Sequence, residues 1–121
     1  FHVVRYVTWA LENVRKRIQK ELHPSKRKYF KRSRKLLLTH KKKLGSESID
    51  ALELMLLHSK DLAVAYYLKE LFFDFMDSKN RTEAAQKLKF FILAAQASQL
   101  KEFQILTQTI WVYLLLLSFV N

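Results

Sequence analysis

The sequence predicts an all-α fold of five to six helices, in which a basic N-terminal helical hairpin precedes an apolar helical bundle. Half of the 121 residues are apolar, which is enough to fill the core of one small domain. The chain contains one glycine and one proline, so few positions can supply the positive φ angles or rigid corners that β-hairpins need. It contains no cysteine, which excludes disulfides, thiolate zinc sites and cysteine nucleophiles.

A single apolar stripe predicts the first helix, over residues 1–22. Its members recur at spacings of four, four, three, four and four residues: Val3, Val7, Leu11, Val14, Ile18 and Leu22. His23-Pro24 ends this helix, because the residue before a proline avoids the α region. A second helix is predicted over residues 26–44, with Ser25 as its N-cap and Gly45 just after its end. The short turn between the two makes them antiparallel neighbours.

The remaining helices are predicted from caps and apolar spacing. Ser48 is expected to cap a third helix over residues 49–58, and a fourth covers residues 61–76, where aromatic side chains on several sides predict burial around much of the circumference. Thr82 is expected to cap a fifth helix. The residues that it should bury are Ala85, Leu88, Phe91, Ile92 and Ala95.

A final segment begins after a break near Ala97-Ser98 and ends in an apolar run over residues 110–120. A membrane-spanning helix needs roughly 20 apolar residues, so this run favours a buried helix or an exposed end over a membrane span. The predicted organisation is one helical region in three parts. Residues 1–44 form the basic hairpin, residues 48–104 the packing helices, and residues 105–121 a divergent apolar C-terminal helix.

The charge follows the same division. The net charge of +11 is concentrated in residues 1–44, which hold fifteen Lys or Arg against Glu12 and Glu21, whereas the rest of the chain holds seven against nine acidic residues. Such an asymmetry indicates one end that faces a polyanion and another that packs.

The cations of the hairpin predict a surface that binds the phosphate backbone of a nucleic acid. Ten Lys or Arg residues lie between residues 26 and 43, and like charges four residues apart destabilise an isolated helix, so a polyanion that offsets them would explain this density. Contacts to phosphates carry no base sequence, so no sequence specificity is expected. The predicted DNA-binding residues are Arg15, Lys16, Lys26, Arg27, Lys28, Lys31, Arg32, Arg34, Lys35, Lys41, Lys42 and Lys43.

Two other interpretations of the basic segment stay open. Its charge can simply form a solvated face that confers solubility. Alternatively, the second helix can lie on anionic lipid with Tyr29 and Phe30 inserted. Against the lipid surface, the apolar face of this helix already has a partner in the first helix.

No catalytic or metal-binding pattern is recognisable within the chain. The four histidines show neither pairing four residues apart nor a thiol partner, and His40 is expected on a partly buried helix face. Acidic pairs such as Asp74 with Asp77 are spaced like ordinary surface charges and helix caps. One glycine cannot build a glycine-rich phosphate loop.

Several short stretches occur in an order that one protein family shares. They are Phe1-His2-Val3-Val4-Arg5, then Ala10-Leu11 and Val14-Arg15, Tyr29-Phe30-Lys31-Arg32, Ala65-Tyr66-Tyr67-Leu68-Lys69-Glu70, and residues 95–103 with Ser98 and Leu100. In this order they resemble the DDE transposases of bacterial insertion sequences, specifically the ISL-three family. The resemblance covers residues 1–104. Beyond Gln104 the sequence departs from the family pattern, since leucines follow Trp111 and the chain stops at Asn121, as in a truncated or frameshifted gene copy.

The resemblance implies a catalytic domain of the ribonuclease-H type, in which three acidic residues hold two divalent metal ions, with magnesium the expected metal, for DNA strand cleavage and transfer. The second aspartate would directly precede Phe1 and the glutamate would follow Gln104, so none of the three would lie in this chain. Only His2 would approach that site. Residues 1–104 would form the helical insertion between the two acidic residues, and the natural N-terminus is expected upstream, since Phe1 begins neither an initiator end nor a signal peptide.

The first functional hypothesis is therefore a fragment of a transposase that contributes DNA backbone binding and is inactive alone. Its partners would be DNA and the catalytic core of the parent protein, in the cytoplasm of a bacterium, with self-association left open and no cofactor in this chain. The alternative is a free-standing basic helical module that binds nucleic acid or protein without catalysis.

Overall fold

The computed structural model describes residues 3–30 and 33–120, and the side chains of Tyr29 and of residues from 113 onward lie outside that description. Within these ranges the chain is helical and has no strand, which confirms the predicted fold class. The α-helices are α1 (Val3–Glu21), α2 (Pro24–Arg27), α3 (Ser33–Leu38), α4 (Ser46–Leu56), α5 (Lys60–Met76), α6 (Arg81–Ala97) and α7 (Lys101–Val120). Two single 3-10 turns, Lys28–Phe30 and Lys41–Lys43, flank α3.

The four long helices form a closed antiparallel bundle. Helix α1 packs against α5 and α7, and α6 packs against the other sides of both. The direction of each pair follows from contacts near the helix ends: Arg17, late in α1, pairs with Asp61 at the start of α5 and with Glu102 at the start of α7. Short loops make α5, α6 and α7 antiparallel in turn. The shorter helices α2, α3 and α4 lie outside this ring.

The core of the bundle combines the predicted stripe of α1 with aromatic residues from its partners. Val7, Leu11 and Val14 have no solvent exposure. The ring of Phe72 in α5 lies 5.3 Å from that of Phe91 in α6, at 66°, which is an edge-on contact between two buried rings. Of the five α6 residues predicted to be buried, Phe91, Ile92 and Ala95 are buried and Leu88 is half-buried, but Ala85, in the first turns of the helix, is exposed.

The second arm of the hairpin is not the single helix that the sequence predicted. It consists of α2, a 3-10 turn, α3 and a second 3-10 turn, although it does lie antiparallel to α1. Helix α3 ends at Leu38, and the carbonyl of Thr39 accepts a hydrogen bond from Lys69 Nζ in α5 at 2.8 Å. A tertiary contact therefore takes the carbonyl that a continuing helix would use for its own ladder.

Several predicted caps are wrong by two or three residues. Helix α2 begins with Pro24 in its first turn and His23 as its N-cap, so Ser25 is inside it. Gly45 does not end a helix; with φ −76° and ψ 170° it is the N-cap of α4, which makes Ser48 a helical residue. Asn80, whose side chain accepts from the N–H of Glu83 at 2.8 Å, caps α6 in place of Thr82.

The apolar C-terminal run continues α7 to Val120. Ile110 is buried in the core, whereas Trp111 and Val112 are each about half exposed. Across the described ranges, no helix combines the length and the apolarity that crossing a bilayer requires.

One strained position provides a test of this fold. Gln99, between α6 and α7, has φ 60°, the left-handed region that glycine adopts freely and that costs other residues about 1–2 kcal/mol. We expect Gln99→Gly to raise the free energy of unfolding by about 0.5–1 kcal/mol in urea denaturation. The matched change Gln96→Gly, at an exposed helical position three residues earlier, should lower it by about 1 kcal/mol. Destabilisation by both changes would contradict the conformation of this loop.

Candidate nucleic-acid interface

Residues 24–30 and 33–43 run back along α1 in the opposite direction. As a result, side chains of the two arms of the hairpin meet at defined positions along α1. The facing residues are Lys20 with Arg27 in one groove, Glu12 with Arg34 in an ion pair, and Val4 with His40 in one pocket.

A groove near the end of α1 is lined mostly by cations. Lys16, Gln19 and Lys20 of α1 and Arg27 of α2 surround a space of about 350 Å³. Lys16, Lys20 and Arg27 are exposed, and none of them forms an ion pair with another described residue. Their charges are therefore available to a ligand, and their convergence on one groove concentrates positive potential there.

In the middle of α1, the carboxylate of Glu12 holds two arginines. Glu12 is largely buried and accepts hydrogen bonds from Arg15 Nε at 3.0 Å and Arg15 Nη2 at 2.9 Å, while Arg34 Nε of α3 lies 3.7 Å from the same carboxylate. Arg15 also donates to the side chain of Gln19 at 2.7 Å. The guanidinium of Arg15 is thus occupied within the protein, whereas the side chain of Arg34 is 74% exposed.

The predicted DNA-binding residues therefore fall into distinct environments. Lys42 pairs with Asp77 at 2.6 Å, and Arg15 is held as described. Lys31 and Arg32 lie outside the described residues. The prediction omitted Lys20, which lines the groove. Lys20 lies four residues after Lys16 and therefore on the same face of α1, which could have identified it from the sequence. The predicted residues with exposed side chains are Lys16, Lys26, Arg27, Lys28, Arg34, Lys35, Lys41, Lys42 and Lys43.

The C-terminal end of the second arm, residues 39–42, is fixed to α5 by three side chains that we call the clip: Lys69, Glu70 and Asp77. Lys69 has no solvent exposure; its ammonium donates to Thr39 and lies 2.6 Å from the carboxylate of Glu70. Glu70 also accepts from the backbone N–H of Lys41. The clip therefore holds residues 39–42 and sets where the turn Lys41–Lys43 projects.

His40 occupies the centre of the clip. Its Nδ1 is 3.1 Å from Glu70 and its Nε2 is 3.3 Å from Asp77, although Nδ1 lacks the angle of a hydrogen bond. His40 is partly buried, as predicted, but it precedes a 3-10 turn and does not lie on a helix face.

Burial or a neighbouring charge shifts the pKa values of three groups at or beside the clip: Lys69, Tyr66 and Asp77. Desolvation lowers the pKa of the Lys69 ammonium, and Glu70 partly offsets this effect. The ammonium lies 4.0 Å from the centre of the Tyr66 ring, a cation–π contact. Burial, with a smaller contribution from Glu70, raises the pKa of the Tyr66 hydroxyl. The hydrogen bond from Lys42 is the main cause of a lowered pKa at Asp77.

The resemblance implies a metal centre whose acidic ligands lie outside this chain. No group of three His, Asp or Glu side chains within these ranges is arranged to hold a metal ion. Because Glu12, Glu70 and Asp77 each face cations, their carboxylates are already compensated.

The hydroxyl of Tyr66 provides a test of the buried region around the clip. It is buried without a hydrogen-bond partner among the described residues, which costs about 1–3 kcal/mol. We expect Tyr66→Phe to raise the free energy of unfolding by about 1 kcal/mol at neutral pH, because the ring remains. Above about pH 10 the unfolded chain releases a phenolic proton that the folded state retains, so wild-type stability falls as pH rises; this loss should be smaller in the variant.

Tyr67→Phe is the matched control, since Tyr67 is 54% exposed on the same helix. Chemical denaturation from pH 7 to 11 measures both variants. An equal effect of the two changes would show that the Tyr66 hydroxyl is not buried in solution.

The family of the chain follows from comparison with known proteins. Residues 1–116 match the family model of the ISL-three transposases of the DDE type, described as transposase. The match extends past Gln104, where the sequence analysis expected the resemblance to end. Neither a curated protein nor a solved structure matches the chain. A family match over most of the sequence shows that the chain belongs to the ISL-three family of DDE transposases.

Proposed function

We propose that this chain is a helical insertion of an insertion-sequence transposase and contributes DNA backbone binding to transposition. The observation that carries the proposal is the groove in which Lys16, Lys20 and Arg27 converge without an acidic partner among the described residues. Three cations on one groove match the requirement of a phosphodiester backbone, which binds chiefly by neutralising phosphates and releasing counterions.

The basic surface, which extends along α1 from the pocket of Val4 and Lys43 to the groove of Lys20 and Arg27, has a length that suits a DNA strand. Val4 and Lys20 are sixteen residues apart on α1, which corresponds to about 24 Å along the helix. Phosphates follow one strand of DNA at about 3.4 Å of axial rise, so this length corresponds to roughly seven of them. The arrangement supports contact with the backbone over part of a helical turn, and contacts to phosphates carry no base sequence.

The alternative lipid-bound state is less favoured by the packing. Phe30, one of the side chains proposed to enter a membrane, is 2% exposed and belongs to the core. Lys16, Lys20 and Arg27 remain exposed on the same surface without a contiguous apolar face beside them in their groove. A solvated face without a ligand is the remaining alternative, and it is decided by measuring binding.

In the parent transposase, the acidic residues and the divalent metal ions would belong to a catalytic core outside this chain, against which the bundle would pack. The setting would be the bacterial cytoplasm, and self-association stays open. A free-standing module without catalysis is disfavoured by the family match, which names a transposase.

A charge-matched pair of variants tests the DNA-binding proposal. We expect Lys16→Gln, Lys20→Gln and Arg27→Gln together to weaken binding to a mixed-sequence duplex and to reduce the slope of log affinity against log salt by about 3. The control combines Lys79→Gln, Arg81→Gln and Lys89→Gln, which removes the same charge from exposed positions on α6 and the loop before it. Fluorescence anisotropy over a range of NaCl concentrations measures both.

The control should keep the wild-type slope, because Lys79 and Arg81 lie at the opposite end of the antiparallel bundle from the groove and Lys89 lies in the middle of α6, which packs against α5 and α7. An equal loss in both triple variants would mean that net charge alone drives binding. Failure of the wild-type chain to bind duplex DNA would refute the proposed function.

A further inference from the structure

Glu12 is unusual among the acidic residues of the chain, because it is buried in the middle of the basic surface. Only two carboxylates lie in residues 1–44, and the other, Glu21, is exposed at the end of α1. The side chain of Glu12 is 11% exposed and contacts Arg15 and Arg34. An acidic residue at such a place should oppose DNA binding unless it has a compensating role.

The geometry separates the roles of the two arginines. Arg15 forms a two-point hydrogen bond with Glu12, and its side chain is only 15% exposed. This pair neutralises the carboxylate and fixes its position on α1. Arg34 approaches the same carboxylate through Nε at 3.7 Å, an ion pair too long for a hydrogen bond.

The terminal nitrogens of Arg34 remain available. Its side chain is 74% exposed, and no described residue accepts a hydrogen bond from it. An arginine whose Nε faces a carboxylate still offers the two terminal NH₂ groups of its guanidinium, which match the oxygens of a phosphate. Glu12, Lys16 and Lys20 lie four residues apart in succession on α1, so Arg34 joins the same side of the helix as the groove cations.

We propose that Glu12 is a positioning residue for DNA binding: its buried carboxylate, fixed by Arg15, orients Arg34 so that the free end of the guanidinium takes a backbone phosphate beside the groove. The inference rests on the proposed function. Fixing a long side chain before binding reduces the conformational entropy that is lost when it meets its ligand. The carboxylate itself repels DNA weakly, because Arg15 already compensates its charge.

If Glu12 positions Arg34, its removal should change DNA affinity in the opposite direction to the one that charge alone predicts. Glu12→Gln and Glu21→Gln each remove one negative charge from α1, and simple electrostatics predicts tighter DNA binding for both. We expect Glu21→Gln to bind slightly more tightly than wild type. Glu12→Gln should instead bind about threefold to tenfold more weakly at the same salt concentration, the range that corresponds to the loss of one fixed side chain.

The coupling between Glu12 and Arg34 distinguishes positioning from a general loss of structure. Arg34→Gln should weaken binding and lower the salt slope by about 1, and adding Glu12→Gln to it should cause little further loss. In a Lys26→Gln background, Glu12→Gln should weaken DNA binding as much as it does in the wild-type chain, since Lys26 has no ion pair with Glu12. Circular dichroism and thermal melting are measured for every variant, so that only folded proteins are compared.

A second variant keeps the test decisive if Glu12→Gln does not fold. Arg34→Lys preserves the charge but removes Nε and the planar fork, so the DNA affinity of this variant should fall. The affinity of Arg27→Lys, a change in the groove, should fall less. Wild-type affinity in Arg34→Lys would overturn the inference, as would tighter binding in a folded Glu12→Gln variant. If the wild-type chain binds no DNA, the proposed function and this inference both fail; if it binds and Glu12→Gln behaves like Glu21→Gln, only the inference fails.

Discussion

The structure depends on the way that α1 divides its surface between the core and solvent. Its stripe of fully buried residues, Val7, Leu11 and Val14, is covered because α5 and α7 both pack against this helix. Each such side chain contributes about 1.5–3 kcal/mol when it is removed from water, so the stripe fixes the rotation of α1 about its own axis. Lys16 and Lys20, which are exposed, then have to point away from the bundle, where Arg27 meets them.

The second constraint is electrostatic and comes from α5. A lysine without solvent exposure is costly unless its charge is compensated, and Lys69 is compensated by Glu70, by the carbonyl of Thr39 and by the Tyr66 ring. These contacts hold the backbone carbonyl of Thr39, in the second arm of the hairpin, against the bundle. Helix α3 therefore ends at Leu38, where a continuous helix would have carried the carbonyl of Thr39 away from Lys69.

Much of the fold was predictable from the sequence, because it follows from local patterns. The 3.6-residue spacing of apolar residues placed α1 and α5 within one or two residues of their observed bounds, and the cap predicted for α6 lies two residues from the observed one. The end of α3 at Leu38 was not predictable in this way. It depends on the contact between Lys69 and Thr39, thirty residues apart, and local propensity contains no information about such a contact. The caps failed for a local reason: Asn80 and Thr82, or Gly45 and Ser48, lie close together in the sequence, and all four residue types occur at N-caps.

The candidate site shows a sharper difference between sequence and structure. The sequence argument treated the density of cations on one long helix as a sign that a polyanion must offset their repulsion. In the structure that helix is broken, and Glu12, Glu70 and Asp77 lie against cations or backbone donors of the hairpin, so part of the repulsion is relieved inside the protein. Density alone therefore no longer indicates DNA. The case now rests on the few cations that the fold brings together without acidic partners, and on the arrangement of Glu12, which holds one arginine within the protein and leaves another exposed beside them.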